Sequence, residues 1–215
     1  MSSKNEDLLF WLHRTEDHGE FLQVLLLPPK YKRLAGNFKE SFGKISTNGK
    51  ELTKISDEWK SFLNKLITVQ TEGEFIGNVY PSFLLHLAKE HELLEHFASG
   101  GSVNNALRLF PPEEHHKEEV EVLEKLMDPT LSKTDLLTMA KEFELTFSQF
   151  VNQPKSQSEI SQLVYLSEQL VQFCDELPQS KIIASPKLVH HIQREIEWYN
   201  SKLEELNVKS TGRKI

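Results

Sequence analysis

The sequence of 215 residues has little glycine and a single cysteine. One cysteine, Cys174, excludes an intrachain disulfide and is compatible with a reducing compartment. It lies in "LVQFCDEL", an apolar-polar helical pattern that predicts a buried thiol rather than a reactive one. Glycine occurs nine times, and alternating β-branched runs are rare, so the sequence disfavours a β-sheet protein.

The sequence also lacks the short motifs of several enzyme classes. It contains no Gly-x-x-x-x-Gly-Lys-Ser/Thr, Gly-x-Gly-x-x-Gly, Gly-x-Ser-x-Gly or His-Glu-x-x-His. The sequence motifs therefore give no support to a nucleotide-dependent enzyme or to a serine hydrolase. The 25 Lys and Arg residues against 32 Asp and Glu residues give a net charge of −7, which disfavours a general nucleic-acid binder.

No apolar run is long enough to span a bilayer. The longest, "FLQVLLLPP", is short and ends in prolines, and the first twenty residues are too charged for a secretory signal. We therefore expect no membrane partner and a cytoplasmic location.

Long apolar stripes with a period of 3.6 residues predict an all-α protein. Helices are predicted at about residues 5–27, 30–46, 50–71, 81–98, 114–127, 132–152, 157–178 and 186–206. Antiparallel helices joined by short loops pack as bundles, in which facing side chains can build a site in the core.

The chain contains an internal repeat. "PSFLLHLAKE" at Pro81–Glu90 and "PKLVHHIQRE" at Pro186–Glu195 share a Pro, a His and a Glu at the same spacing. "LAGNFKESF" and "TMAKEFELTF" align at the same offset, and "HGEFLQVLLLPP" aligns with "EVEVLEKLMDPT" so that His18 corresponds to Glu119. Such a pattern is typical of a duplicated supersecondary unit.

We therefore predict two four-helix repeats related by a pseudo-twofold axis, packed as two bundles or as one intermixed bundle. The predicted division is a first repeat at residues 1–101, a linker at 102–112, a second repeat at 113–206 and a polar tail at 207–215.

The repeated His-x-x-x-Glu pairs are the strongest candidates for chemistry. His86 and Glu90, like His191 and Glu195, are four residues apart and so project from one face of a helix. Apolar neighbours place both pairs at or near a core-facing stripe. Buried ionisable groups are costly unless they are paired or bind metal, so the alternatives are a metal site and two hydrogen-bonded pairs in the core.

His18 and Glu119 add one candidate ligand from the first helix of each repeat. The predicted metal ligands are thus three imidazoles and three carboxylates, namely His18, His86, Glu90, Glu119, His191 and Glu195. This set is similar to that of di-metal carboxylate sites in four-helix bundles, although their usual motif is Glu-x-x-His. Carboxylates mixed with imidazoles favour iron or manganese, as one or two ions.

The remaining histidines rank lower as ligands. His115 and His116 lie at a helix start in "PPEEHHKEE" and are predicted to be solvated, linker-type histidines rather than ligands. His91, His96 and His190 adjoin the repeated pairs without a counterpart in the other half, and are predicted to lie at the surface or in a second shell around the metal.

"DLLFWLHRTEDHGEFL", "LAGNFKESF" and the two Pro-to-His-to-Glu segments together resemble the DUF2935 family of largely Bacillus-type bacterial proteins. The resemblance extends over about residues 6–206 and implies a ferritin-like helical fold with two related halves. It also implies that His18, His86, Glu90, His191 and Glu195 bind metal. Some family members are described as spore coat proteins, so the spore coat is the alternative location. The resemblance supplies no reaction.

Three functional hypotheses follow. The first is a ferritin-like protein that holds iron or manganese and performs redox or oxygen chemistry. The second is a structural, coat or interaction protein in which the His/Glu pairs are hydrogen-bonded core groups, with homo-oligomer formation left open. The third is an enzyme that uses the pairs as general acid and base without metal.

Overall fold

The computed structural model describes residues 3–45, 49–126, 134–151, 156–177 and 186–211. Within these ranges the chain is all-α, as predicted. The helices are α1 Ser3–Leu25, α2 Pro29–Lys44, α3 Gly49–Thr71, α4 Pro81–Ala98, α5 Val103–Leu109, α6 Pro112–Leu126, α7 Thr134–Ser148, α8 Gln157–Glu176 and α9 Pro186–Thr211. None of these helices carries an apolar stretch that could cross a membrane.

The predicted helices all have counterparts, with two differences. Helix α5 lies inside the predicted linker, where the sequence predicted no helix, and Ser102 caps it by accepting a hydrogen bond from the backbone N–H of Asn105. Helix α9 continues to Thr211, into the predicted polar tail. Several predicted helix ends, near residues 46, 127–132, 152 and 178, lie outside the described residues.

The chain divides into two compact units, Met1–Phe110 and Pro111–Ile215. The first unit contains α1 to α5 and the second contains α6 to α9. The predicted pseudo-twofold relation concerns the placement of the two units and stays a prediction.

The first unit is built around α1 and α4, which pack against each other and against α2 and α3 respectively. Trp59 of α3 is fully buried. Its ring contacts Phe38, Phe42 and Phe62 with centroids 5.2, 6.0 and 5.8 Å away. Aromatic pairs at these distances stabilise a core beyond their area of burial, so this cluster holds α2 and α3 together.

The end of α1 is joined by main-chain bonds to the segment before α4. Leu27 donates its N–H to the carbonyl of Ile76 at 2.8 Å, and Asn78 donates to the carbonyl of Leu25 at 3.1 Å. Gly77 lies between these bonds with φ of 135°. A Cβ there would overlap the carbonyl oxygen of Leu25, so the close approach requires glycine.

In the second unit α6 packs against α7 and α9, and α8 packs against α9. Helix α8 begins with a capping box, in which Ser156 and Glu159 each bond the backbone N–H of the other. The ring of Phe143 contacts those of Phe147 and Phe173 at 6.3 and 5.7 Å. These contacts place aromatic rings of α7 and α8 in one core.

Cys174 of α8 is buried, as predicted. Burial and the negative charges of Glu119 and Asp175 raise the pKa of its thiol. Because the thiolate is the reactive form, we expect Cys174 to react very slowly with an aromatic disulfide reagent at pH 8 in the folded protein. In guanidinium one thiol per chain should react at once. Rapid reaction of the folded protein would contradict this prediction.

Candidate metal centre

In the first unit, Glu90 lies between two imidazoles. Its Oε1 is 2.8 Å from Nε2 of His86, one turn earlier on α4. Its Oε2 is 2.9 Å from Nε2 of His18 on α1. Relative exposures of 1%, 4% and 0% for Glu90, His86 and His18 show that water does not solvate this group. The structure therefore brings together the three ligands that the sequence predicted for the first repeat.

In the second unit, Glu195 has the same arrangement. Its Oε1 is 3.0 Å from Nε2 of His191, one turn earlier on α9. Its Oε2 faces Nε2 of His115 on α6 at 3.8 Å. All three residues are buried. In both units, each carboxylate oxygen thus faces one imidazole Nε2, the first on its own helix and the second on the first helix of its unit.

His115 is not among the ligands predicted from the sequence. The prediction that His115 and His116 are solvated linker residues is wrong, because both are fully buried within α6. The alignment had matched His18 with Glu119, whereas by contacts with the repeated glutamate His115 corresponds to His18. His115 precedes Glu119 by four residues and so shares its helix face, which is the signal that could have identified it.

Glu119 is fully buried and lies against two histidines. Its Oε2 is 3.2 Å from Nδ1 of His115 and 3.3 Å from Nδ1 of His116. Burial by itself raises the pKa of the Glu119 carboxyl, but the two rings outweigh burial and lower that pKa to about 2. Burial lowers the pKa of His116. Glu119 Oε1 and His116 Nε2 have no hydrogen-bond partner among the described residues.

Aromatic rings enclose these histidines. The ring of Tyr199 has its centroid 4.6 Å from that of His115 and 5.5 Å from that of His116. The ring of His116 also has its centroid 5.4 Å from that of Phe147. In the first unit, Phe110 at the end of α5 meets His86 at 5.6 Å. These rings exclude water from the imidazoles, which strengthens their electrostatic interactions.

His91 follows Glu90 and is fully buried, so the structure does not place it at the surface. Neither of its ring nitrogens has a hydrogen-bond partner among the described residues. Burial, together with the nearby His18 and Lys60, lowers the pKa of His91 to about 3. His91 is thus a neutral imidazole with unused nitrogens, beside the glutamate of the first unit. His190, in contrast, is exposed.

The buried histidines and glutamates of the two units are suitable for binding a cation. Buried polar groups normally have partners, and a buried carboxylate is stable only when its charge is balanced. Imidazole and carboxylate together are common ligands of iron, manganese and zinc. Of the six predicted ligands, three meet in the first unit, two meet in the second, and Glu119 contacts His115 and His116. Their predicted convergence on a single centre depends on the placement of the two units and stays a prediction.

No family model matches the chain, so its resemblance to DUF2935 remains a prediction. The chain is similar to an uncharacterized protein, L567, of Acanthamoeba polyphaga mimivirus, with 25% identity over 210 residues. This match covers 84% of the chain and 64% of the viral protein, so the chain spans less than two thirds of that relative. The structure is similar to the crystal structure of an uncharacterized protein from Bacillus cereus G9241, with a TM-score of 0.76. That likeness covers 95% of this chain and 92% of the other at 20% identity, and it shows the fold alone.

Proposed function

We propose that this protein is a ferritin-like metal-binding protein that holds one or two iron or manganese ions through its buried His/Glu groups. The ligands are His18, His86 and Glu90 in the first unit and His115, His191 and Glu195 in the second. The observation that carries the proposal is the repeated geometry in which both oxygens of one buried glutamate face imidazole Nε2 atoms.

Two physical arguments favour metal over hydrogen-bonded core pairs. Buried ion pairs are weak stabilisers, and well-packed apolar residues of similar volume often replace them without loss of stability. A chain that needed only stability would therefore gain little from building this arrangement twice. In addition, each carboxylate faces a second imidazole on a different helix, and such convergence from two helices is typical of metal sites in bundles.

The donor atoms favour iron or manganese. Carboxylate and imidazole ligands suit these metals, whereas thiolate-seeking metals require cysteine, and burial keeps the Cys174 thiol protonated. Bound iron or manganese would supply an open coordination position for dioxygen or peroxide. The residues of the chain hold the ions and, through Phe110 and Tyr199, exclude water from the imidazoles. The cytoplasm remains the expected location, with the spore coat as the alternative.

Elemental analysis of protein purified without chelator tests the proposal. We expect iron or manganese at one or two equivalents per chain in the wild type, and a loss of at least tenfold in His86→Ala/His191→Ala. His190→Ala is the matched control, because this exposed histidine adjoins His191 on the same helix. Trace metal in the wild type, or equal metal in the double variant, would overturn the proposal.

The second candidate is a structural or interaction protein. It is favoured by exposed apolar side chains near the Leu26–Gly77 junction, where Phe75 and Val24 are each 71% exposed and Leu27 is 57% exposed. Under this alternative, assembly that depends on protein concentration would persist in His86→Ala/His191→Ala. Phe75→Ser would then weaken assembly, as measured by sedimentation.

A further inference from the structure

We propose that Glu119 is a positioning residue, which accepts a hydrogen bond from Nδ1–H of His115 and so leaves Nε2 as the nitrogen that binds metal. This inference deepens the proposed function and rests on it, because His115 is there a ligand. It differs from the role that the sequence predicted for Glu119, which was direct coordination.

The orientation of the four ligand histidines supports this assignment. His18 and His86 turn Nε2 toward Glu90, and His191 turns Nε2 toward Glu195. His115 follows the same rule, with Nε2 facing Glu195. Its other nitrogen, Nδ1, lies 3.2 Å from Oε2 of Glu119 and 3.4 Å from Nδ1 of His116, so the carboxylate oxygen is the nearer of its two acceptors. The two nitrogens of His115 thus face two different carboxylates from opposite sides of the ring.

This contact has a chemical consequence for the ring. A neutral imidazole carries its proton on either nitrogen, and only the other nitrogen has a lone pair for a metal. A carboxylate accepts and does not donate when it is ionised, so Glu119 favours the tautomer with the proton on Nδ1. A carboxylate in this position also orients the ring and raises the basicity of the metal-binding nitrogen.

His116 fixes the carboxylate in turn. Its Nδ1 lies 3.3 Å from the same Oε2 of Glu119, and its ring is held between Phe147 and Tyr199. Because all three polar residues are fully buried, water does not compete for these hydrogen bonds. Glu119 therefore has little freedom to release His115.

The hydrogen bond from a first-helix histidine to a glutamate four residues later is a feature of the second unit. Four residues after His115 the chain has Glu119, whereas four residues after His18 it has Leu22. Leu22 is a fully buried apolar residue and cannot accept a hydrogen bond. A carboxylate four residues after the first-helix histidine is therefore present for His115 and not for His18.

The test is the dissociation constant for manganese(II) of the metal-free full chain, measured by competition with a chromogenic chelator. We expect Glu119→Ala to bind manganese about 10- to 100-fold more weakly, as is usual when a partner of a ligand histidine is lost. Glu119→Gln should recover most of this loss, because the amide oxygen still accepts a hydrogen bond. Glu118→Gln, at the neighbouring half-buried position, should bind as the wild type does.

A second readout reports the tautomer directly. In 15N spectra of the metal-free protein, the His115 ring should carry its proton on Nδ1 in the wild type and in Glu119→Gln, and populate both tautomers in Glu119→Ala. Circular dichroism and the unfolding midpoint of the metal-free variants check that the fold is kept. A change in stability alone would not alter the tautomer.

Three results would overturn the inference. The first is that Glu119→Ala binds manganese with an affinity within twofold of the wild type. The second is that Glu119→Gln loses a whole equivalent of bound metal. The third is that His116→Gln loses a whole equivalent of bound metal. The second result would show that Glu119 is a direct ligand. The third would show that His115, His116 and Glu119 form a metal-binding site of their own, since donor atoms of these three residues lie within 4.8 Å of one another. If the wild type binds no metal, the proposed function fails, while the tautomer still tests the hydrogen bond.

Discussion

Removing bound metal with a chelator is expected to lower the midpoint of thermal unfolding of the wild type by roughly 5–10 °C. A ligand that binds only the folded state at about one hundred times its dissociation constant stabilises a protein by about 2.7 kcal/mol. For a chain of this size, each 1 kcal/mol shifts the midpoint by roughly 2–4 °C. The buried carboxylates contribute to the same result, because the cation balances their charge.

The double variant His86→Ala/His191→Ala provides the comparison. Its midpoint should be the same with and without chelator, whereas His190→Ala should respond as the wild type does, since its side chain is exposed. Differential scanning calorimetry at one protein concentration measures both effects. A wild-type midpoint that does not change on chelation, in protein shown to contain metal, would contradict the expected linkage.

Gly77→Ala is expected to destabilise the first unit by about 3 kcal/mol or more, since backbone strain and overpacking each cost about 1–3 kcal/mol. The backbone at Gly77 has φ of 135°, and an added Cβ would overlap the main chain around Leu25 and Leu26. The hydrogen bonds that join α1 to the segment before α4 lie on either side of this residue. Neither side can move away without breaking one of them.

Gly73→Ala is the matched control for this substitution. Gly73 also has a positive φ, of 89°, but a Cβ there would meet nothing within 4 Å. Gly73→Ala should therefore lower the free energy of unfolding only through the strain of the left-handed backbone, by roughly 1–2 kcal/mol. Urea denaturation measures the difference between the two variants. Equal destabilisation by both would show that the packing around Gly77 adapts to a methyl group.

The sequence predicted the helices well because their apolar stripes are long. Helix α5 was missed because it has only seven residues and follows two glycines, so its length carries little periodic signal. The buried face of α6 was also missed. Its start reads "PPEEHHKEE", which is polar after the two prolines, and polarity at the start of a helix normally indicates solvent exposure.

The candidate site was predictable in part. The two Pro-to-His-to-Glu segments lie on single helices, so the spacing of four residues was enough to pair His86 with Glu90 and His191 with Glu195. The partners on α1 and α6 depend on how helices pack, and an alignment shifted by one turn keeps the same apolar face. Sequence therefore matched His18 with Glu119, while packing brings His115 to Glu195.

The short helix α5 has a consequence for how ions would enter and leave the first unit. Phe110, the residue that follows this helix, lies edge-on to His86, and the ammonium of Lys89 on α4 is 5.1 Å from the centroid of the Phe110 ring. His86 is only 4% exposed, so if it binds an ion as proposed, exchange of that ion at the imidazole would involve opening its contact with Phe110. The rate of metal uptake would then follow the opening of a seven-residue segment rather than any motion of the four long helices.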